Sequence, residues 1–150
     1  MWTSVADYLQ HVLSCIGCSI SSVLIWKNSS RNNYGCGSIL ILDDDPVQRL
    51  IAQRDLEAMK LKVIAPQRPI DLPNLDISNV SLVIVDRHLR AWHAAVEKLI
   101  EVLPSSVHVW EWTCDDWGQP VLDRIERTLQ KRPGVLVDAV EGWLGNKVAA

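Results

Sequence analysis

The sequence predicts an α/β protein built on an open, parallel sheet, and three observations carry that prediction. The aliphatic runs Ile39–Leu42 and Leu82–Val85 are continuous rather than alternating, as in strands buried on both faces. Helical patterns alternate with the strand-like runs, in the rhythm of βα units. The carboxyl ends of the strands carry Asp43 to Asp45, Asp86, and Thr113 to Asp116. Sites gather at those ends in folds of this class.

The elements follow in order. "ILIL", Ile39–Leu42, is a central strand. Asp45 can cap a helix and Pro46 suits its first position, so a helix runs through "PVQRLIAQRDLEAMK". Its expected inward residues are Val47, Leu50, Ile51 and Ala58. Leu61–Ala65 is a short second strand. Pro66, Pro69 and Pro73 then leave no room for a long helix. Ser81–Asp86 is a third strand. Apolar residues at Trp92, Val96, Leu99, Ile100 and Leu103 mark a helix that Pro104 ends. Val107–Trp112 is a fourth strand. From Val121 to Arg132, Val121, Leu122, Ile125 and Leu129 share one face, which predicts another helix.

The chain has 150 residues, enough for one domain with a real core. Residues 1–37 read as a poorly structured extension, 38–132 as the compact domain, and 133–150 as a tail with a short helix near Val135–Leu144. Hydrophobic content of 48% and charged content of 22% fit a soluble globular protein. The net charge of −3 and the lack of a basic run argue against nucleic-acid binding.

Cys15 and Cys18 have zinc-like spacing, and His11 and Cys36 could complete a set, but no second close pair exists. Unpaired thiols are the simpler reading. Nineteen uncharged residues lie between Asp7 and Lys27. That length approaches a membrane span, yet Gln10, His11, Gly17 and several serines interrupt it, so no membrane segment is expected.

Asp43, Asp44 and Asp86 meet if the first and third strands are neighbours. Three close carboxylates disfavour full ionisation unless a cation sits among them, and a hard divalent ion such as Mg2+ suits oxygen ligands. A carboxylate beside that ion can act as a nucleophile toward phosphorus. Thr113 is placed to supply a hydroxyl, although a threonine is also an ordinary strand-end residue. Asp45 is assigned to the helix cap.

"ILILDDDPVQRLIAQRDLEAMKLKVIA" resembles the opening of receiver domains of bacterial two-component response regulators. "SLVIVDRHL" is similar to that family's third strand. The resemblance covers Ser38 to Arg132 and implies a flavodoxin-like doubly wound sheet. It also implies Asp86 as phosphoacceptor, Asp43 and Asp44 as metal-binding acids with Mg2+ as cofactor, and Thr113 as the phosphoryl-contacting hydroxyl. The implied partners are a histidine kinase or phosphotransfer protein and a downstream protein, in the cytoplasm, with no enzyme activity beyond self-dephosphorylation.

Some residues depart from the family pattern. Gln119 stands where a lysine precedes Pro120, and Lys131 is assigned to the last helix, pointing elsewhere. The fourth helix is expected to be missing and the fifth strand lost or shortened. Val107–Trp112 would then be an edge, where Glu111 is tolerated. Arg90 replaces the family's proline four residues after Asp86.

Two other readings stay open. One is a degenerate receiver that only binds a partner, using Trp92, Trp110, Trp112 and Trp117 if these are exposed rather than core residues. The other is a haloacid-dehalogenase-like phosphatase, with Asp43 as nucleophile, Asp45 as acid/base and Asp115–Asp116 as metal ligands.

Overall fold

In the computed structural model, Gly37 leads directly into the first strand. A Cβ on Gly37 would lie 2.1 Å from the Asn79 carbonyl oxygen, so only glycine lets the chain enter the sheet there. The structure describes residues 37–114, 120 and 122–148. The readings placed on His11, Cys15, Cys18, Cys36 and the uncharged N-terminal segment lie outside them, as do those on Asp115, Asp116, Trp117 and Gln119.

Among the described residues, five strands form one sheet: β1 (Ser38–Leu42), β2 (Val63–Ile64), β3 (Val80–Asp86), β4 (His108–Thr113) and β5 (Arg127–Gln130). The order is β2-β1-β3-β4-β5, and every pairing is parallel. This is the flavodoxin-like, doubly wound order. Strand order reverses beside β1, which opens a crevice at the carboxyl ends of β1 and β3.

Helices α1 (Pro46–Ala58) and α3 (Val135–Val148) cover one face. Ala52 and Leu56 of α1 and Leu136, Ala139, Val140 and Leu144 of α3 pack there on Ile39, Ile41, Leu82 and Ile84. Helix α2 (His93–Val102) and a 3-10 helix, Pro69–Asn74, cover the other face. Val96, Leu99, Ile100 and Leu72 meet Leu40, Leu42, Val83 and Val85. Each fully buried Leu or Ile contributes about 1.5–3 kcal/mol relative to exposure, which is why continuous aliphatic strands sit at the centre. Among the described residues, no helix is long and apolar enough to cross a membrane.

The helix expected over Val121–Arg132 is not formed. Leu122 and Ile125 belong to a turn, with the Ile125 N–H bonded to the Leu122 carbonyl at 3.3 Å. The Glu126 N–H then bonds to the Val109 carbonyl at 2.9 Å, and β5 begins. Leu122 and Ile125 pack into one core and Leu129 into the other. A turn followed by a strand thus reproduced helical spacing.

The fifth strand is therefore present, though only four residues long. The edge-strand account of Glu111 is overturned with it, because β4 lies between β3 and β5. Glu111 is buried and is matched there by the Arg87 guanidinium at 2.6 Å and the Thr128 hydroxyl at 3.2 Å.

Among the described residues no helix lies between β4 and β5. Arg124, ahead of β5, is tied to the end of α2 and the loop that follows it. Its guanidinium donates to the carbonyls of Ile100 at 3.2 Å, Leu103 at 2.8 Å and Val107 at 3.0 Å, and also to that of Pro104. The Ile100 carbonyl, in the last turn of α2, also accepts from the Leu103 N–H at 3.3 Å.

Helix α1 is rotated relative to expectation. Its buried residues are Arg49, Ala52 and Leu56, while Val47, Leu50 and Ile51 are 62%, 47% and 46% exposed and Ala58 is also exposed. The cause lies at its start. The Arg49 guanidinium donates to the Asp43 carbonyl at 2.6 Å and lies over the Trp92 ring, which turns this basic residue inward. Trp92, Trp110 and Trp112 are themselves buried core residues.

Candidate functional site

The site begins with register. Leu42 pairs with Val85, so the residues that follow, Asp43 and Asp86, emerge side by side at the sheet's carboxyl end. Asp86 pairs with Trp112, which puts Thr113 one step beyond on β4. Carboxylate oxygens of Asp43, Asp44 and Asp86 all lie within 4.8 Å of one another. Asp43 and Asp86 are buried, and Asp44 is half-buried toward solvent.

Local hydrogen bonds fix each acid. One Asp43 oxygen accepts from the Asp45 N–H at 2.9 Å. One Asp86 oxygen accepts from the His88 N–H at 3.1 Å. Asp45 is turned to the helix: its carboxylate accepts from Val47 N–H at 2.8 Å and Gln48 N–H at 3.3 Å. These bonds hold the exposed Asp45 carboxyl below the usual carboxylate range.

The buried cation is Lys131, which does not lie on a last helix pointing elsewhere but faces the acids. It follows β5 directly, and its N–H bonds to the Thr113 carbonyl at 2.7 Å. Its ammonium lies 2.7 Å from Asp43 Oδ2 and 2.6 Å from Asp86 Oδ1. The Trp112 ring flanks it at 5.2 Å. The cation assigned as lost at Gln119 is thus present at Lys131. The signal in the sequence was slight, as "LQKRP": one apolar residue, Leu129, then a lysine two residues before a proline. Arg132 between Lys131 and Pro133 hid it.

Electrostatics couple these groups. Burial pushes the Asp43 carboxyl up, and the Lys131 hydrogen bond and charge reverse this only in part. Burial also works against the Lys131 charge, but its hydrogen bonds and charge interactions with Asp43 and Asp86 outweigh that and raise its pKa. The lysine is therefore an ammonium held among acids, and the Asp43 carboxyl lies above its ordinary range.

An all-oxygen set of three clustered carboxylates fits a hard divalent ion. Lys131 offsets one charge of the three, so the remaining excess of negative charge favours such an ion. Arg90 stands at the rim, its Nε 4.0 Å from Asp44 Oδ2.

No protein-family model matches the chain, and neither does any curated protein. Solved structures do. A CheY-like response regulator receiver domain from Methylobacillus flagellatus matches 73% of this chain and 98% of its own, with 17% identity and TM-score 0.55. A response regulator protein from Thermotoga maritima, in complex with Mg2+ and BeF, matches 73% and 97%, with 15% identity and TM-score 0.58. A Saccharomyces cerevisiae receiver domain, solved with a histidine phosphotransfer signalling protein, matches 73% and 86%, with 13% identity and TM-score 0.55.

This chain has the receiver fold. The likeness, at these identities, is one of architecture. Within that receiver fold, the acids converge at the switch point of the sheet and the lysine reaches them from β5.

Proposed function

We propose that this receiver-fold chain is a phosphorelay signalling domain that accepts a phosphoryl group on Asp86. The observation that carries the reading is the juxtaposition of three carboxylates with one buried ammonium. An Asp86 oxygen attacks phosphorus. The bond from phosphorus to the donor's imidazole nitrogen breaks, and its electron pair returns to that nitrogen. Asp86 needs to lose no proton, because it reacts as a carboxylate.

Asp43, Asp44 and Asp86 would hold Mg2+. When bound, that ion supplies charge neutralisation at the phosphoryl oxygens. Lys131 provides the fixed cation on the buried side, and Thr113 the hydroxyl at the end of β4. The Thermotoga neighbour's complex with Mg2+ and BeF supports the choice of metal.

The donor is a histidine kinase or phosphotransfer protein. The yeast neighbour was solved with a partner of the second kind. The exposed stripe Val47, Leu50 and Ile51 begins two residues after Asp45, beside the acids, and offers that protein an apolar contact. Lys131 removes the main reason for treating the domain as phosphorylation-incompetent. Asp45, engaged as a helix cap, gives no support to the phosphatase reading.

Thermal unfolding tests the proposal. Mg2+ with beryllofluoride, a phosphoryl mimic, should raise the melting temperature of the wild type and leave Asp86→Asn unmoved. Equal shifts in both proteins would refute the assignment of Asp86.

A further inference from the structure

Arg90 has a backbone φ of +46°, a left-handed conformation uncommon outside glycine. The bend has a structural consequence. Leu89 and Trp92 on either side turn into the core, at 2% and 7% exposed, and the Trp92 N–H closes the turn on the Leu89 carbonyl at 2.8 Å. The Arg90 side chain is left outside, 85% exposed, over the mouth of the site. With Asp44, Asp45 and Pro46 it lines a cleft of about 300 Å³.

Its contact with Asp44 is an ion pair at 4.0 Å, too long for a hydrogen bond. The arrangement divides the cations. Lys131 is fixed on Asp43 and Asp86 from inside, whereas Arg90 is loosely placed on Asp44 from the solvent side, where a phosphodonor enters. A divalent ion that takes Asp44 as a ligand must compete with Arg90. A guanidinium, once displaced, binds phosphoryl oxygens well.

We propose that Arg90 is a second cation of the phosphoryl site. It pairs with Asp44 when no divalent ion is bound and turns onto the phosphoryl oxygens when one is. This rests on the reading of Asp86 as a phosphoacceptor. It makes two effects of opposite sign follow from one substitution.

Calorimetry on the full chain tests it, with Arg90→Gln to remove the charge and Arg90→Gly to release the left-handed backbone as well. Without a phosphoryl mimic, both variants should bind Mg2+ roughly threefold more tightly, the scale of an exposed ion pair. At saturating Mg2+, both should bind beryllofluoride roughly tenfold more weakly, the scale of a lost charge-assisted hydrogen bond. Added NaCl should shrink the first difference. Unchanged affinities, or two affinities moving in the same direction, overturn the proposal for Arg90. If the wild type itself takes up no beryllofluoride with Mg2+, the phosphoacceptor reading fails instead.

Discussion

Lys131 lies 2.6 Å from Asp86 and 2.7 Å from Asp43, so one buried ammonium ties the end of β5 to the ends of β3 and β1. Removing it strands two carboxylates in the protein interior. Lys131→Met is expected to cost about 3 kcal/mol of stability without metal, the scale for breaking a buried ion pair from one side. Mg2+ should stabilise this variant more than the wild type, because it replaces the missing charge. Urea denaturation with and without Mg2+ measures both. A cost near zero, or a smaller Mg2+ effect in the variant, would contradict the placement of Lys131.

Glu111 is fully enclosed in β4 and faces Arg87 at 2.6 Å and Thr128 at 3.2 Å. Glu111→Ala takes the carboxylate from a buried guanidinium and should destabilise the fold by about 3 kcal/mol. The double variant Arg87→Met with Glu111→Leu should be more stable than that single variant, since no buried charge is left to solvate. A double variant as unstable as Glu111→Ala would show that packing, not charge, sets the cost.

The exposed stripe on α1 makes a separable prediction. Leu50 is 47% exposed, so Leu50→Asp should change stability by no more than about 0.5 kcal/mol. Loading of Asp86 from a small phosphodonor should be unchanged. Transfer from a histidine phosphotransfer protein that loads the wild type should fall severalfold. Equal transfer to both proteins would remove α1 from the docking surface.

Much of this was legible in the sequence, for physical reasons that differ by element. Ile39–Leu42 and Leu82–Val85 declared themselves because central parallel strands are apolar on both faces. The acids at their ends were legible because strand direction alone puts Asp43 and Asp86 at one edge. The region after Thr113 was not. Only Leu129 is buried in β5, too little alternation to mark a strand, and its spacing from Leu122 and Ile125 imitates a helix. Missing β5 meant missing Lys131, whose position depends on where that strand ends. Val47, Leu50 and Ile51 were misplaced for another reason: apolar residues were assumed to face the core, whereas Arg49 takes the inward position through its bond to the Asp43 carbonyl.

The central claim is that Asp86 is a phosphoacceptor. The most direct measurement is intact-protein mass after exposure to a small phosphodonor such as acetyl phosphate or phosphoramidate, with Mg2+ and with a chelator. The expected result is a gain of one phosphoryl group in the wild type with Mg2+, abolished by chelation and by Asp86→Asn. No gain in the wild type, or the same gain in Asp86→Asn, would contradict it.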